Sequence, residues 1–334
     1  LFGVKEVPIE NLIPNKKYFF FSHTIKKQPY NRKLIQAVLS KNIELYDHET
    51  IVKENGMRLI GFGRYAGIVG TYNGFRAWGL KYDSFNLPKA ETLHDQKKLI
   101  AALNTLELPN IKILLTGSGK VASGAQEMLD GMHLKSVSVD DYLHKTFSEP
   151  VYCKIDVLDY NKRKDGAVKD MFDFFDNPQE YVSDFKRFTK VTDYYIAGHF
   201  FGDGSPFLFT KEDAKKDDFN ICLVADISCD INGPIASTLR ASTIADPVYG
   251  YDSQTATEVD FKNPGAITVM AVDNLPCELP KDASEGFGDL FLEHVIPAFY
   301  NDDKEEVLDR AKMTSDGKLT KRYAYLQAYL EGKE

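Results

Sequence analysis

"IKILLTGSGKVASGAQEML" occupies residues 111–129. A short apolar run leads into Gly117-Ser118-Gly119-Lys120-Val121-Ala122, and a helix-competent segment follows. A bare G-x-G-x-x-A is a weak signal. A strand before it and a helix after it are what a dinucleotide cradle requires. The first glycine permits the tight turn, the second lets backbone approach a pyrophosphate, and the small third residue lets the helix pack closely. The helix N-terminus then offers unpaired N–H groups and a positive dipole end to the phosphates. Gly117, Ser118, Gly119, Lys120 and Ala122 are therefore the expected cofactor-binding positions. About 20 residues on, the pattern asks for an acid closing a second strand. "LKSVSVDDYL" (134–143) supplies Asp140, expected to accept the ribose hydroxyls and so to favour NAD, with NADP the alternative. The bland reading is a glycine turn followed by a solvated acidic loop.

Upstream, residues 1–90 alternate short apolar runs with turns: "LFGVKEV", "KYFFFSH", "IELYD" and "MRLIGFG". "NRKLIQAVLSKN" (31–42) between them has the apolar spacing of an amphipathic helix. "RYAGIVGTYNGFRAWGLKY" (64–82) reads as a helix whose glycines imply close packing on another backbone. Strand–helix–strand alternation predicts a parallel sheet. "ETLHDQKKLIAALNTLE" (91–107) is expected as a helix leading into a second domain. Downstream, "DYYIAGHFF", "NICLVADIS" and "AITVMAVDNLP" read as buried strands, and "GDLFLEHVIPAFY" and "LTKRYAYLQAYL" as helices. The charged stretch 158–190 reads as an elaborated surface insertion.

The expectation is an α/β protein of two Rossmann-like domains with parallel sheets around a cleft. A discontinuous substrate domain takes 1–95 plus 290–334. A dinucleotide-binding domain takes 96–289, with the charged insertion near 155–190. At 334 residues the chain has room for two cores. A net charge of −8 argues against a nucleic-acid footprint. No apolar run reaches the length of a membrane span. Cys153, Cys222, Cys229 and Cys277 show no metal-type spacing and read as free thiols, which points to the cytoplasm. The chain opens on Leu1 in what reads as a strand already under way, so a fragment lacking its first strands is expected.

"KKYFFFSHTIKKQ" (16–28) puts Ser22, His23 and Thr24 where a doubly buried strand should emerge, and Lys5 ends the run before it. Carboxyl ends of strands face the ligand crevice of an α/β sheet. Hydride chemistry at C–N or C–O bonds also needs a proton shuttle. A lysine shielded from water beside a histidine suits that task. On residues alone, a structural histidine and a Lys5–Glu6 surface pair are the competing readings.

"GVKEVP", "FFFSHTIKKQ", "GFGRYAGIVG", "TGSGKVASGAQ", "DISCDINGPI" and "VDNLPCELPKDASEGFGD", in this order, resemble the saccharopine dehydrogenase and lysine–ketoglutarate reductase family. That family is grouped with alanine dehydrogenase and transhydrogenase. The resemblance spans nearly the whole chain. It implies interconversion of lysine plus 2-oxoglutarate with saccharopine, using NAD or NADP. The amine attacks the keto carbon, a carbinolamine loses water, and hydride reduces the imine. It further implies Lys5 and His23 as the acid–base pair, Arg76 and Glu6 on the substrate side, and Asp226 and Asp273 on the nicotinamide side. The partners implied are small molecules, with no nucleic acid or membrane, and a homo-oligomer is compatible. An alanine dehydrogenase-like enzyme is the second reading, and a catalytically silent dinucleotide-binding protein the third.

Overall fold

A computed structural model describes residues 1–333 and divides the chain into two compact units. One comprises 1–61 together with the chain from 284 onward, and the other 62–283.

In the first unit, β1 (Lys17–Phe20) pairs in parallel with β2 (Glu44–Asp47). The opening residues run along the other side of β1. Phe2 bridges Phe19 in parallel, Gly3 N–H donates to Phe19 O at 2.8 Å, and Phe21 N–H donates to Val4 O at 2.9 Å. Successive side chains of a strand point to opposite faces, which explains the phenylalanine run. Phe20 and Leu45 pack with Leu34, Ile35 and Val38 of α1 (Arg32–Ser40) and with Met313, Tyr323 and Leu326. Phe19 and Tyr46 stack at 4.4 Å on the opposite face, over Ile51, Ile60, Val295 and Val307. The expected strand at "MRLIGFG" is not one: Arg58 makes an isolated bridge to Val52, and the glycines that follow lead into a helix.

The second unit carries an eight-stranded sheet in the order β11-β10-β12-β9-β8-β3-β5-β4. Its strands are β3 (Lys112–Thr116), β4 (Lys135–Ser136), β5 (Val151–Ile155), β8 (Tyr194–Ala197), β9 (Leu223–Asp226), β10 (Val248–Asp252), β11 (Thr257–Val259) and β12 (Ile267–Met270). Strands β4 through β12 along that order are parallel, and β10 and β11 add an antiparallel edge. Ile113 and Leu115 face one core while Leu114, Cys153 and Val224 face the other. Burial on both faces is why these strands read as unbroken apolar runs.

Helix α2 (Gly63–Tyr82) belongs here, not with the first region, so the division falls at Gly61 instead of residue 95. Its glycines explain this. A Cβ on Gly67 would lie 2.0 Å from Val121 O, and one on Gly124 would lie 1.9 Å from Arg64 O. Only bare backbone lets α2 and α4 (Lys120–Gly131) approach so closely. Gly124 therefore serves helix-on-helix packing. The helix expected over 91–107 is shorter: Asp95 caps α3 (Gln96–Leu103) by accepting from Lys98 N–H at 2.9 Å.

The charged stretch is also more than surface. Its hairpin β6 (Asn161–Arg163) and β7 (Tyr181–Ser183) exposes lysines, but Tyr160, Phe174, Tyr181, Phe185 and Phe188 fill the second core. Sequence charge hid five core aromatics. Among the described residues, no helix is long and apolar enough to cross a membrane, and no group of His, Cys, Asp or Glu is placed to hold a metal ion. All four cysteines are free; Cys153 is buried, Cys222 and Cys229 are partly so, and Cys277 is exposed.

Candidate active site

Two constellations stand at carboxyl ends of parallel strands, one in each unit. In the second unit, β3 ends at Thr116 and the chain turns at Gly117 with φ +110°. A side chain there would be strained by its dihedral and would meet Gly198 O at 2.5 Å. Gly117 N–H donates to Ile155 O at 2.9 Å, tying the turn to β5. Gly119 is the N-cap of α4, has no side-chain cap, and faces open space where a Cβ would stand. Ser118, Gly119 and Lys120 are exposed, and Ala122 is fully buried beneath them. This is a cradle that suits phosphate: open backbone at a helix start. The residues present fit a dinucleotide.

Asp140 is not where its expected role places it. In a Rossmann half the acid works because the second strand lies beside the first. Here β4 is at the sheet edge and β5 stands between it and β3. Ser138 then caps a short helix, α5 (Val139–His144), by accepting from Asp141 N–H at 3.2 Å. Asp140 lies in its first turn, 84% exposed, with Oδ1 3.1 Å from His144 Nδ1. The residue at the end of the strand next to the cradle is Asp156, directly after Ile155. It is half-buried, and its Oδ1 accepts from Leu158 N–H at 2.9 Å. Strand order, not spacing, singles it out.

Asp226 ends β9 and is fully buried, accepting from Thr238 Oγ1 at 2.6 Å and Cys229 N–H at 3.0 Å. Burial pushes its carboxyl up to about 6 against those hydrogen bonds. Its visible work is to hold the loop 226–238 in place. Asp273 is exposed in the turn after Val272. Arg76 lies on α2, half-buried, with Nε donating to Leu87 O at 3.3 Å. One turn away, Asn73 Nδ2 donates to buried Glu278 at 2.8 Å, and burial pushes that carboxyl up to about 7. Sequence reading missed Glu278, because a single glutamate in "NLPCELP" carries no spacing signal.

In the first unit, three parallel rows end together: Val4 before Lys5 and Glu6, Phe21 before Ser22 and His23, and Asp47 before His48 and Glu49. His23 has φ +52°, the left-handed region histidine visits more than most residues, and its ring stacks on Phe21. His23 Nδ1 lies 2.5 Å from Glu6 Oε1, both half-buried. Burial raises the Glu6 carboxyl, but the hydrogen bond and charge of His23 outweigh it, and the net position is below the usual range. Glu6 is thus an acceptor, so Nδ1 carries the proton and Nε2 is the nitrogen left to exchange one. The glutamate expected on the substrate side is engaged with the histidine. Lys5, before Glu6 in the chain, is exposed, not shielded from water as the sequence reading expected.

Behind this pair, Asp47 accepts from Ser22 N–H at 3.1 Å, from Ser22 Oγ, and from Glu49 N–H at 2.7 Å. Burial pushes its carboxyl up to about 6. His48 Nε2 donates to Gly3 O at 2.8 Å, joining the outer rows, and burial pushes the ring down to about 4. Glu49 holds Arg58 at 2.8 Å. The signal for this layer was present in "LYDHE", where ionisable residues follow a buried strand.

No family model matches the chain. It is 28% identical to the mitochondrial alpha-aminoadipic semialdehyde synthase of Rattus norvegicus, over all of this chain and 41% of that protein. It is 27% identical to alpha-aminoadipic semialdehyde synthase of Arabidopsis thaliana, over 98% of this chain and 34% of that protein. The saccharopine dehydrogenase [NAD(+), L-lysine-forming] of Yarrowia lipolytica is 23% identical over 89% of this chain and 73% of its own length. The chain therefore spans about two-fifths of the length of the animal relatives it matches. A solved L-alanine dehydrogenase superposes with a TM-score of 0.58 at 13% identity, covering 99% of this chain and 80% of that one. The resemblance drawn from the motifs is borne out by these relatives, and the α/β fold by that structure.

Proposed function

We propose that this chain catalyses the pyridine-nucleotide-dependent interconversion of lysine plus 2-oxoglutarate with saccharopine. The observation that carries the reading is the Glu6–His23 contact at the strand ends, next to Lys5. A carboxylate on Nδ1 fixes the tautomer and orientation of an imidazole, as in other histidine-based shuttles. The relatives named above, whose names specify a semialdehyde synthase and a lysine-forming saccharopine dehydrogenase, support the substrate class.

Gly117, Gly119 and the first N–H groups of α4 would hold the pyrophosphate, and Asp156 would meet the adenosine ribose, which favours NAD over NADP. A bound nicotinamide supplies or accepts the hydride. The chain's own residues manage protons. His23 Nε2 takes a proton as the substrate amine attacks the keto carbon, and returns it as water leaves the carbinolamine. Lys5 serves as the second exchanging group, giving the keto oxygen a proton as the amine attacks, so that the proton held by His23 completes the water that later leaves. Arg76 and Asp273 remain proposed contacts for substrate carboxylate and nicotinamide. The free cysteines suit a reducing compartment, and we place the protein in the cytoplasm. Small molecules are its proposed partners, with self-association into a homo-oligomer compatible.

The test is NADH and NADPH oxidation by the full chain with lysine and 2-oxoglutarate together, then with each alone. Oxidation only with both is expected. Equal rates with ammonia and a small oxo acid would favour the alanine dehydrogenase-like reading. Binding of NADH without turnover on any of these would favour the silent one.

A further inference from the structure

His199, whose backbone crosses the glycine turn, carries a buried ring nitrogen without a partner among the described residues. β8 ends at Ala197, in register with Thr116 of β3 and Asp226 of β9. The chain then passes over the glycine turn, where Gly198 O and His199 Cα would lie 2.5 and 3.1 Å from a Cβ on Gly117. Ser228 Oγ donates to His199 O at 2.6 Å and fixes this crossing. His199 is 7% exposed. Its Nδ1 lies 3.0 Å from Thr116 Oγ1 and 3.4 Å from the Tyr195 hydroxyl, and those two hydroxyls are 2.9 Å apart.

These three groups satisfy one another in one direction. If Tyr195 O–H donates to Thr116 and Thr116 O–H donates to Nδ1, every hydroxyl proton is used. Reversed, with Nδ1–H donating, the Tyr195 proton has no acceptor in the trio. Nδ1 is therefore an acceptor, and the proton of the neutral ring sits on Nε2. Burial keeps the ring neutral, pushing it down to about 4. Nε2 is buried and has no partner among the described residues. A buried donor left unpaired is costly, and native chains keep one mainly where something else completes it.

We propose that His199 is a positioning residue for the dinucleotide: its Nε2–H donates to a phosphate or ribose oxygen of a pyridine nucleotide lying over Gly117–Gly119. This rests on the reading of that turn as a dinucleotide cradle. It goes beyond it by assigning a side chain, read in sequence only as part of a strand, to hold the ligand.

The experiment measures NADH affinity of the full chain by fluorescence and calorimetry without substrates, and follows the histidine side-chain nitrogens by NMR. Two variants separate ligand from structure. His199→Gln carries an amide nitrogen to the place of Nε2, whereas His199→Asn reaches only as far as Nδ1. Thermal midpoints without NADH report any structural cost. We expect His199→Asn to weaken NADH binding about tenfold, the worth of one hydrogen bond left unmade, and His199→Gln to stay within about threefold. The NMR should show the protonated nitrogen of this residue to be Nε2, moving on NADH addition. Binding by His199→Asn as tight as the parent's, or equal losses in both variants, would overturn the proposal. Failure of the parent to bind NADH or NADPH would instead overturn the cradle reading, and this proposal with it.

Discussion

The two strand-end constellations bury the same kind of pair and put different things in front of it. In the first unit Asp47 and His48 follow β2; in the second Asp226 ends β9 and His199 follows β8. Burial pushes both aspartates up to about 6 and both histidines down to about 4. In front of the first pair stand ionisable side chains: Lys5, Glu6 and His23. In front of the second stands backbone: Gly117 to Gly119. A site that moves protons needs groups whose charge can change. A site that holds phosphates needs N–H groups and a helix end. On the reading proposed here the first pair is scaffold behind the proton-handling layer, and the second is scaffold except for the Nε2–H of His199, which is proposed to meet the nucleotide.

The largest effect should come from removing the proton-handling layer. Lys5→Met or His23→Gln should each lower turnover about 10²–10⁴-fold, the range for a positioned acid or base. The double variant should lose much less than the product of the two, as for groups acting together. Glu6→Gln should lower turnover less and shift the pH–rate profile, since Glu6 touches the histidine. NADH affinity should hold in all of them. Multiplicative effects, or affinity falling in step with turnover, would erase the contrast between the two constellations.

Legibility in the sequence followed the same contrast. The turn at Gly117 and Gly119 was readable because a backbone feature is written in consecutive residues, and the strand-end positions of Lys5 and His23 because each follows its own apolar run; their roles are the ones proposed above. Spacing pointed to Asp140 because it cannot report strand order: β5 lies between β4 and β3, and Asp156 is the residue that follows β5. Helix α2 was placed in the wrong unit because its glycines announced a close neighbour without naming it, and the neighbour was α4. His199 and Glu278 were unreadable because each depends on hydroxyls, amides or burial supplied from strands and helices far along the chain.

A second, smaller effect tests whether the buried pair is scaffold. An acid raised from 3.8 to about 6 keeps its proton in the folded chain where the unfolded chain has lost it. Asp47 therefore removes stability as pH rises from about 4 to about 6, and the loss is complete above that. A histidine lowered from 6.5 to about 4 does the reverse, removing stability as pH falls through that window. In the parent the two slopes offset. Asp47→Asn should leave the histidine slope alone, so the variant gains on the parent as pH rises from 4 to 6, by up to about 3 kcal/mol for two pH units. His48→Gln, which retains a donor toward Gly3, should gain on the parent as pH falls. Urea unfolding at three pH values measures both. Profiles parallel to the parent's would mean that these groups are not buried as described.

The smallest effect concerns which nucleotide the backbone site takes. A cradle made of N–H groups binds the pyrophosphate of NADH and NADPH alike, so discrimination must come from a side chain at its rim. Asp156 stands there because Gly117 N–H is bonded to Ile155 O, one residue before it. Its carboxylate would accept from the ribose hydroxyls and repel a 2′-phosphate. Asp156 also caps the short helix Val157–Tyr160, so an alanine would lose about 1 kcal/mol of capping and confuse the result. Asp156→Ser keeps a capping oxygen while withdrawing the charge and the reach. We expect Asp156→Ser to weaken NADH about tenfold, since a hydrogen bond to a charged group is worth roughly 1.5–3 kcal/mol in full and part of it survives through water. NADPH binding should improve or hold, so the preference narrows. Asp140→Ala is the control, because Asp140 follows the edge strand β4, which β5 separates from β3, and should leave both affinities alone. If Asp140→Ala narrows the preference and Asp156→Ser does not, strand order is the wrong guide here and the spacing of the sequence was right.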